Sequence, residues 1–117
     1  MPVTVSDDDF DRLVEEALEA LPRALTALID NVVIMVEDRA PADDPGLLGR
    51  YDGVPLTERD SSYAGNLPDR IVIFREPTLA MCGSRAEVVE EVRITVAHEI
   101  AHHFGIDDDR LHRLGYA

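Results

Sequence analysis

The sequence predicts a single α+β domain over residues 1–117, in which helices come first, three strands follow and a long helix comes near the end. Three observations lead to this prediction. Residues 6–21 carry an apolar stripe with helical spacing, three strand-like segments lie between residues 31 and 76, and residues 85–104 show a second helical pattern. A chain of 117 residues has the size of one domain and can bury one core.

The first helix is predicted to begin after Ser6, which can cap it, and to continue to Leu21. The three aspartates that follow the cap suit the positive end of the helix dipole. The apolar residues recur at the intervals of one helix face: Phe10, Leu13, Val14, Ala17, Leu18 and Leu21. Pro22 ends or restarts this helix, and the segment ALTALID adds a short helical piece.

Three segments have the composition of strands. Residues 31–38 (NVVIMVED) are continuous and β-branched, which predicts a largely buried strand. Residues 47–59 mix glycines with apolar residues and predict a strand with a bulge or bend at Gly53. Residues 70–76 (RIVIFRE) predict a third strand that Pro77 ends, and the segment TLAMCG is expected to be a connection leading to Ser84.

A long helix is predicted from about Arg85 to Phe104. Ser84 and Glu87 have the spacing of a capping box, in which the serine caps the helix and the glutamate reaches back. Gly105 is placed to end the helix in a left-handed conformation. One apolar arc follows from residues four apart: Val88, Val92, Val96, Ile100 and Phe104.

The charge balance narrows the classes of partner. The chain has 24 acidic and 11 basic residues and a formal net charge of −13, which disfavours binding to nucleic acid or to anionic membranes. No apolar run is long enough to span a membrane, and the first residues do not read as a secretory signal. A single cysteine suits a reducing compartment. A cytoplasmic protein is expected.

The clearest chemistry lies at the end of the long helix, in the segment HEIAHHFGIDDD. His98 and His102 are four residues apart, so their rings lie one turn apart and can reach one metal ion. Glu99 lies about 100° away around the helix. It is therefore not placed as a ligand but can reach a water at the metal. A turn at Gly105 would bring an oxygen of Asp108 to the same ion.

Two imidazoles, one carboxylate and an open position are the ligand set of a catalytic zinc site rather than a closed structural site. Zinc lowers the pKa of a water held in such a site, and Glu99 would accept the proton as the water attacks a carbonyl. The alternative is a polar helix face without a metal. Two histidines and a glutamate would then lie unpaired on a largely buried helix, which is costly.

The segment TVAHEIAHHFGIDDDRLHRLG resembles the small bacterial zincin-like metallopeptidase family, long described as a domain of unknown function. Residues 47–59 and 67–76 are similar to two other blocks of that family, so the resemblance runs from about residue 30 to the end. It implies a minimal zincin-like fold: a small mixed sheet of about three strands packed against an N-terminal helix and a long C-terminal active-site helix. It also implies an edge strand that binds an extended peptide, and residues 71–76 are expected to be that edge.

For the site, the resemblance implies that His98, His102 and Asp108 bind Zn²⁺ and that Glu99 is the catalytic base of a zinc metallopeptidase. The expected partner is a peptide or protein substrate, and the oligomeric state is left open. One alternative is a metal-dependent endoribonuclease of the ribosomal-RNA maturation type. Such enzymes have a histidine where this chain has Asp108, and they lack the glutamate. Another is a metal-binding interaction module without hydrolytic activity.

Several neighbouring residues have open roles. Asp107 or Asp109 replaces Asp108 as the third ligand if Gly105 turns the chain differently. His103 is expected to be a core histidine or to support the ligands from behind. Cys82 is expected to be a buried, unreactive thiol and Met81 a core or linker residue. The residue that stabilises an oxyanion is not determined, and the candidates are His112, Arg113, Tyr51, Tyr63 and Tyr116.

Overall fold

The structure is a computed structural model that describes residues 3–29, 31–53 and 68–113, apart from the side chain of Asp108. The α+β prediction is confirmed, with helices first, then the strands, then the long helix. The elements in chain order are α1 (Asp7–Glu19), α2 (Arg23–Thr26), a 3₁₀ turn (Ala27–Ile29), β1 (Val32–Glu37), β2 (Gly49–Asp52), β3 (Asp69–Phe74), α3 (Arg75–Met81), α4 (Arg85–Phe104) and α5 (Asp108–Arg113).

The described strands form one mixed sheet in the order β1–β3–β2, so β3 is the central strand. β3 runs parallel to β1 and antiparallel to β2, with Gly49 opposite Ile73 and Tyr51 opposite Ile71. The small mixed sheet expected from the family resemblance is therefore present. Of the segment 47–59, the structure places a strand at Gly49–Asp52, and residues 54–59 lie outside the described residues.

Two sequence expectations for the sheet are wrong. Residues 71–76 do not form an exposed edge, because β3 has a neighbour on each side and its residues 71–74 are at most 2% exposed. Among the described strands, β1 lies at an edge of the sheet, and it is not largely buried. Val33 and Met35 are 43% and 40% exposed and alternate with half-buried residues. An unbroken apolar run does not distinguish a central strand from an edge strand.

Residues 75–81 form a helix, where the sequence predicted the last two residues of the third strand and a connection. β3 ends at Phe74, and α3 contains Pro77 in its first turn. Proline is accepted there because the first N–H groups of a helix have no partner within the helix. The Thr78 hydroxyl donates to the Phe74 carbonyl at 2.8 Å and fixes the junction between strand and helix.

α4 begins and ends where the sequence predicts. The Ser84 hydroxyl accepts a hydrogen bond from the Glu87 N–H at 3.2 Å, and the Glu87 carboxylate reaches back to the Gly83 N–H at 2.9 Å. Gly105 ends the helix with φ of 71°. Phe104, assigned to the apolar arc, is 41% exposed. Buried side chains hold α4 between α1 and the sheet: Val88, Val92, Val96, Ala97, Ile100 and Ala101.

α1 also begins as predicted, with the Ser6 hydroxyl accepting from the Asp9 N–H at 3.2 Å. Its apolar stripe packs against α4, and Phe10 and Ala17 are fully buried. Pro22 separates α1 from α2, as expected. In the described part of the chain, no helix combines the length and the apolar character needed to cross a membrane.

Candidate metal centre and cleft

His98 and His102 lie one turn apart in the last third of α4, and both line a cleft of about 410 Å³ between this helix and the segment that leads into β2. Their ring centroids are 6.1 Å apart and the ring planes are inclined by 62°. His98 is half-buried and His102 is exposed. The two imidazoles thus face the same space, as their spacing on the helix predicts.

The imidazole pair fits a shared zinc ion. With a Zn–N distance of 2.0–2.1 Å, each ring centroid lies about 3.2 Å from the ion, and a tetrahedral angle separates the centroids by about 5.2 Å. The observed 6.1 Å becomes compatible after the rings approach by about 1 Å, which small χ rotations provide. Imidazole nitrogens are ligands that zinc prefers, so the residues present suit this metal.

The third ligand is not part of this geometry. Among the residues whose side chains are described, no three His, Cys, Asp or Glu side chains are grouped closely enough to hold a metal ion. Asp108 is the first residue of α5, and its side chain lies outside that description. The assignment of Asp108 as the third ligand therefore stays a prediction.

The turn after α4 gives the neighbouring aspartates different environments. The Ile106 N–H donates to the Ala101 carbonyl at 2.9 Å, which closes the helix end and directs the chain into α5. Asp107 Oδ1 accepts from the Arg110 N–H at 2.8 Å, so Asp107 caps α5. Asp109 is exposed on the first turn of α5.

Glu99 also lines the cleft, and a backbone amide of β2 holds its carboxylate. Glu99 Oε2 accepts from the Tyr51 N–H at 3.1 Å. The strand register explains why this amide is available. The Phe74 N–H donates to the Leu48 carbonyl, so these two residues form a hydrogen-bonded pair of the antiparallel ladder. Bonded and non-bonded pairs alternate along such a ladder, and Tyr51 lies three residues after Leu48. The Tyr51–Ile71 pair is therefore non-bonded, and the Tyr51 N–H points away from β3.

A line of three α4 residues, each one turn from the next, crosses β2. Thr95 lies closest to Gly49: a Cβ built on the glycine would come within 2.7 Å of Thr95 Cγ2 and 2.9 Å of the Val72 carbonyl oxygen. Glu99 meets the Tyr51 amide, and His103 stacks on the Tyr51 ring with centroids 3.7 Å apart. This close approach of helix and strand brings the glutamate to the strand edge.

Tyr51 is the site residue whose role sequence reasoning missed. Beyond its amide, its hydroxyl donates to Asp69 Oδ2 at 2.7 Å, and its ring contacts two residues of α4, His103 and Phe104. No sequence signal could have shown the amide contact with Glu99, because every residue except proline has a backbone N–H. His103 is exposed and packs on this ring, so it is not a core histidine.

The other candidates among the described residues do not line this cleft. Cys82 is 2% exposed, as expected, and burial raises the pKa of its thiol, with smaller contributions from Glu91 and Glu87. Met81 ends α3 and is 52% exposed, so it does not belong to the core. His112 and Arg113 are exposed on α5. Tyr63 and Tyr116 fall outside the described residues.

Comparison with known proteins identifies the family. The sequence model of a family described as zincin-like metallopeptidase matches residues 29–116, which is most of the chain. The chain belongs to the zincin-like metallopeptidase family. The matched range of this zincin-like protein includes the described sheet, α4 and α5. Membership supports a metallopeptidase-type function at the level of the family.

A solved structure shows the same fold. The zincin-like chain is similar to a conserved hypothetical protein from Thermo thermophilus, with 24% sequence identity, a TM-score of 0.58, and coverage of 86% of this chain and 94% of that chain. At this identity the likeness concerns the fold alone. No curated protein matches the sequence significantly.

Proposed function

We propose that this zincin-like protein is a zinc-dependent peptidase, with His98, His102 and Asp108 as the metal ligands and Glu99 as the general base. One observation carries the proposal: the two imidazoles and the amide-held glutamate line the same cleft. Family membership supports the reaction class.

The proposed chemistry divides the work between the metal and the chain. Zinc, when bound, lowers the pKa of a water molecule and polarises the scissile carbonyl. Glu99 accepts the water proton during attack on the carbonyl carbon and passes it to the leaving amine nitrogen. Because the Tyr51 N–H holds Oε2, we assign this proton to Oε1. The fixed Oε2 limits the orientations of the carboxylate before substrate binds.

The cleft suits an extended peptide. Gly49 and Tyr51 occupy alternate positions of β2, and the ladder directs the N–H and C=O groups of both away from β3. Since Glu99 takes the Tyr51 N–H, we propose that substrate pairs with β2 at Gly49 and not at the Tyr51 amide. Leu48 and Ile94 add apolar surface to the cleft, and no described Lys or Arg lines it. These features favour a peptide over a nucleic acid.

Metal analysis tests the ligand assignment. The wild-type protein, loaded with zinc and desalted, should retain one equivalent of the metal. His98→Ala and His102→Ala should each lose it, because removing one ligand from a three-ligand site leaves too few donors. His112→Ala is the matched control, since this histidine is exposed on α5, and it should keep the zinc. Zinc retained in both His98→Ala and His102→Ala would contradict the site.

Hydrolysis of a peptide library, with and without a chelator, tests the reaction. Glu99→Gln should keep the zinc and lower turnover by about 10²–10⁴-fold, the usual contribution of a general base. If Glu99→Gln keeps zinc and cleaves at the wild-type rate, the protein is a metal-binding module or uses another base. Cleavage of RNA without cleavage of any peptide would support the endoribonuclease alternative.

A further inference from the structure

We infer that Tyr51 is a positioning residue: its side chain anchors the end of β2, so that its own amide holds the Glu99 carboxylate in place for proton transfer. The inference rests on the proposed function, in which Glu99 is the base. It concerns the part of the site that β2 supplies, and it assigns a task to the Tyr51 side chain through its contacts with Asp69 and His103.

The position of the amide requires an anchor because β2 is short. The strand has four residues, and its last ladder partner is Arg70, opposite Asp52. The Tyr51 N–H belongs to a non-bonded pair, so the ladder does not hold it directly. The ends of short edge strands open with little free energy. An amide that must orient a carboxylate needs support from outside the ladder.

The Tyr51 side chain provides that support in two directions. Its hydroxyl donates to Asp69 Oδ2 at 2.7 Å, which ties β2 to β3 through a diagonal pair of residues on the same sheet face. Its ring stacks on His103 at 3.7 Å, nearly parallel at 12°, which ties β2 to α4. The Tyr51 N–H donates to Glu99 between these two contacts, and Glu99 lies one turn before His103 on α4.

The arrangement restricts a flexible group at the point of chemistry. A glutamate side chain has three rotatable bonds, and fixing it in one orientation lowers the entropy lost in the transition state. Thr95 against Gly49 sets the distance between helix and strand on one side of Glu99, and His103 against the Tyr51 ring sets it on the other. Without the tyrosine anchor, only the first of these contacts remains.

Amide hydrogen exchange of residue 51, followed by NMR on the zinc-free protein, tests the anchor without any activity measurement. Glu99→Ala should speed this exchange, because it removes the acceptor. Tyr51→Phe and Asp69→Ala should each speed the exchange by about tenfold. The double variant should exchange little faster than either single variant, because both substitutions remove the same hydrogen bond. Asp69→Asn keeps an acceptor oxygen and should restore slow exchange.

Asp52→Asn is the matched control. Asp52 neighbours Tyr51 on the same strand but points to the opposite sheet face, where its carboxylate forms exposed ion pairs with Arg50 at 2.9 Å and with Arg70 of β3 at 3.7 Å. This variant removes a β2 carboxylate charge without touching the anchor, so the exchange rate at residue 51 should stay within about twofold of wild type.

Steady-state kinetics on the zinc-loaded protein separates positioning from a structural role. Tyr51→Phe should lower kcat by about tenfold and change KM by less than about twofold, with full zinc content. Asp69→Asn should keep most of the wild-type kcat, whereas Asp69→Ala should lower kcat as Tyr51→Phe does. A fall in zinc content, or a rise in KM with kcat unchanged, would overturn the positioning role.

The outcomes for the anchor and for the proposed function remain distinct. Equal exchange at residue 51 in wild type, Tyr51→Phe and Glu99→Ala would overturn the inference, whatever the activity of the protein. Faster exchange in the variants of a protein that cleaves no peptide would refute the proposed function and the proton-transfer role, while the anchor itself would stand.

Discussion

Asp107, Asp108 and Asp109 are identical in chemistry and adjacent in sequence, and the turn after α4 gives Asp107 a contact of its own. The Asp107 carboxylate caps α5 by accepting from the Arg110 N–H. A carboxylate oxygen in a cap hydrogen bond is directed towards the helix end, which makes Asp107 a poor choice for the third ligand. This contact therefore disfavours Asp107, and the choice between Asp108 and Asp109 stays as the sequence left it.

The three aspartates can be distinguished by experiment. Asp107→Ala should lower the free energy of unfolding by about 1 kcal/mol, the usual effect of losing a cap, and should keep the zinc. Asp108→Ala should lose the zinc with a smaller effect on the metal-free protein. Urea unfolding and metal analysis measure the two effects, and Asp107→Asn, which keeps a cap, serves as control. Zinc loss in Asp107→Asn but not in Asp108→Ala would show that Asp107, and not Asp108, is the metal ligand.

Cys82 illustrates how burial changes reactivity. The residue is 2% exposed, and burial raises the pKa of its thiol above the ordinary value, with Glu91 and Glu87 adding repulsion of the thiolate. The folded protein should therefore react slowly with iodoacetamide at pH 8, and urea-unfolded protein should react rapidly. Similar rates for the two states would show that the thiol is accessible.

The same pKa shift has a consequence for stability. A folded-state pKa above the unfolded value stabilises the fold below the unfolded thiol pKa of roughly 8.5, and the stabilisation is lost as pH rises through the folded pKa. Urea unfolding between pH 8 and 10 should show a steeper loss of stability for wild type than for Cys82→Ala. Parallel pH profiles of the two proteins would contradict this expectation.

At the level of elements, the contact of α4 with β2 places Glu99 beside the Tyr51 amide. Gly49 permits it, because any side chain at this position would meet Thr95 and the Val72 carbonyl oxygen. The requirement here is close approach, since Gly49 does not have a left-handed backbone conformation. The spacing between helix and strand in turn determines whether Glu99 reaches the Tyr51 amide.

Gly49→Ala should therefore destabilise the protein by about 1–3 kcal/mol, the range typical of overpacking. It should also speed amide exchange at Tyr51, because the strand moves away from α4. Gly46→Ala is the matched control: nothing lies within 4 Å of a Cβ at Gly46, which also lines the cleft. Urea unfolding of both variants measures the effect, and equal midpoints would show that the contact between α4 and β2 tolerates a side chain at residue 49.

Elements defined by local signals were predictable, and those defined by partners were not. The bounds of α4 follow from Ser84, Glu87 and Gly105, all within a turn of the helix ends. The position of β3 in the sheet depends on β1 and β2, which are distant in sequence. Its residues read as a strand in isolation, but nothing local indicates whether it has one neighbour or two.

For the whole molecule, the net charge and the lining of the cleft are both acidic. The net charge is −13, and the cleft is lined by Asp44 and Glu91 in addition to Glu99. Glu91 lies seven residues before His98 on α4, about 10 Å along the helix axis. A peptide that lies along the cleft would bring a side chain near these two carboxylates, and a cationic side chain would be attracted.

Peptides with Lys or Arg should therefore have a lower KM than neutral peptides of the same length, and the advantage should shrink with salt. The Debye length falls from about 10 Å at 0.1 M to about 3 Å at 1 M ionic strength, which screens exposed charges. Asp44→Asn combined with Glu91→Gln should reduce the preference. Asp43→Asn, which removes a neighbouring charge outside the cleft lining, should leave it nearly unchanged. A preference that does not depend on salt or on these variants would contradict the electrostatic origin.

Interactions within a few residues were sufficient to predict α1, α2 and α4, the one-turn spacing of His98 and His102, and the left-handed Gly105. Helix geometry and steric rules act over a single turn, so sequence reports them directly. Packing decided the central place of β3, the exposure of β1, and the bond from the Tyr51 amide to Glu99 across 48 residues. These features depend on which segments meet, and a backbone amide looks alike at every position until the strand and the helix come together.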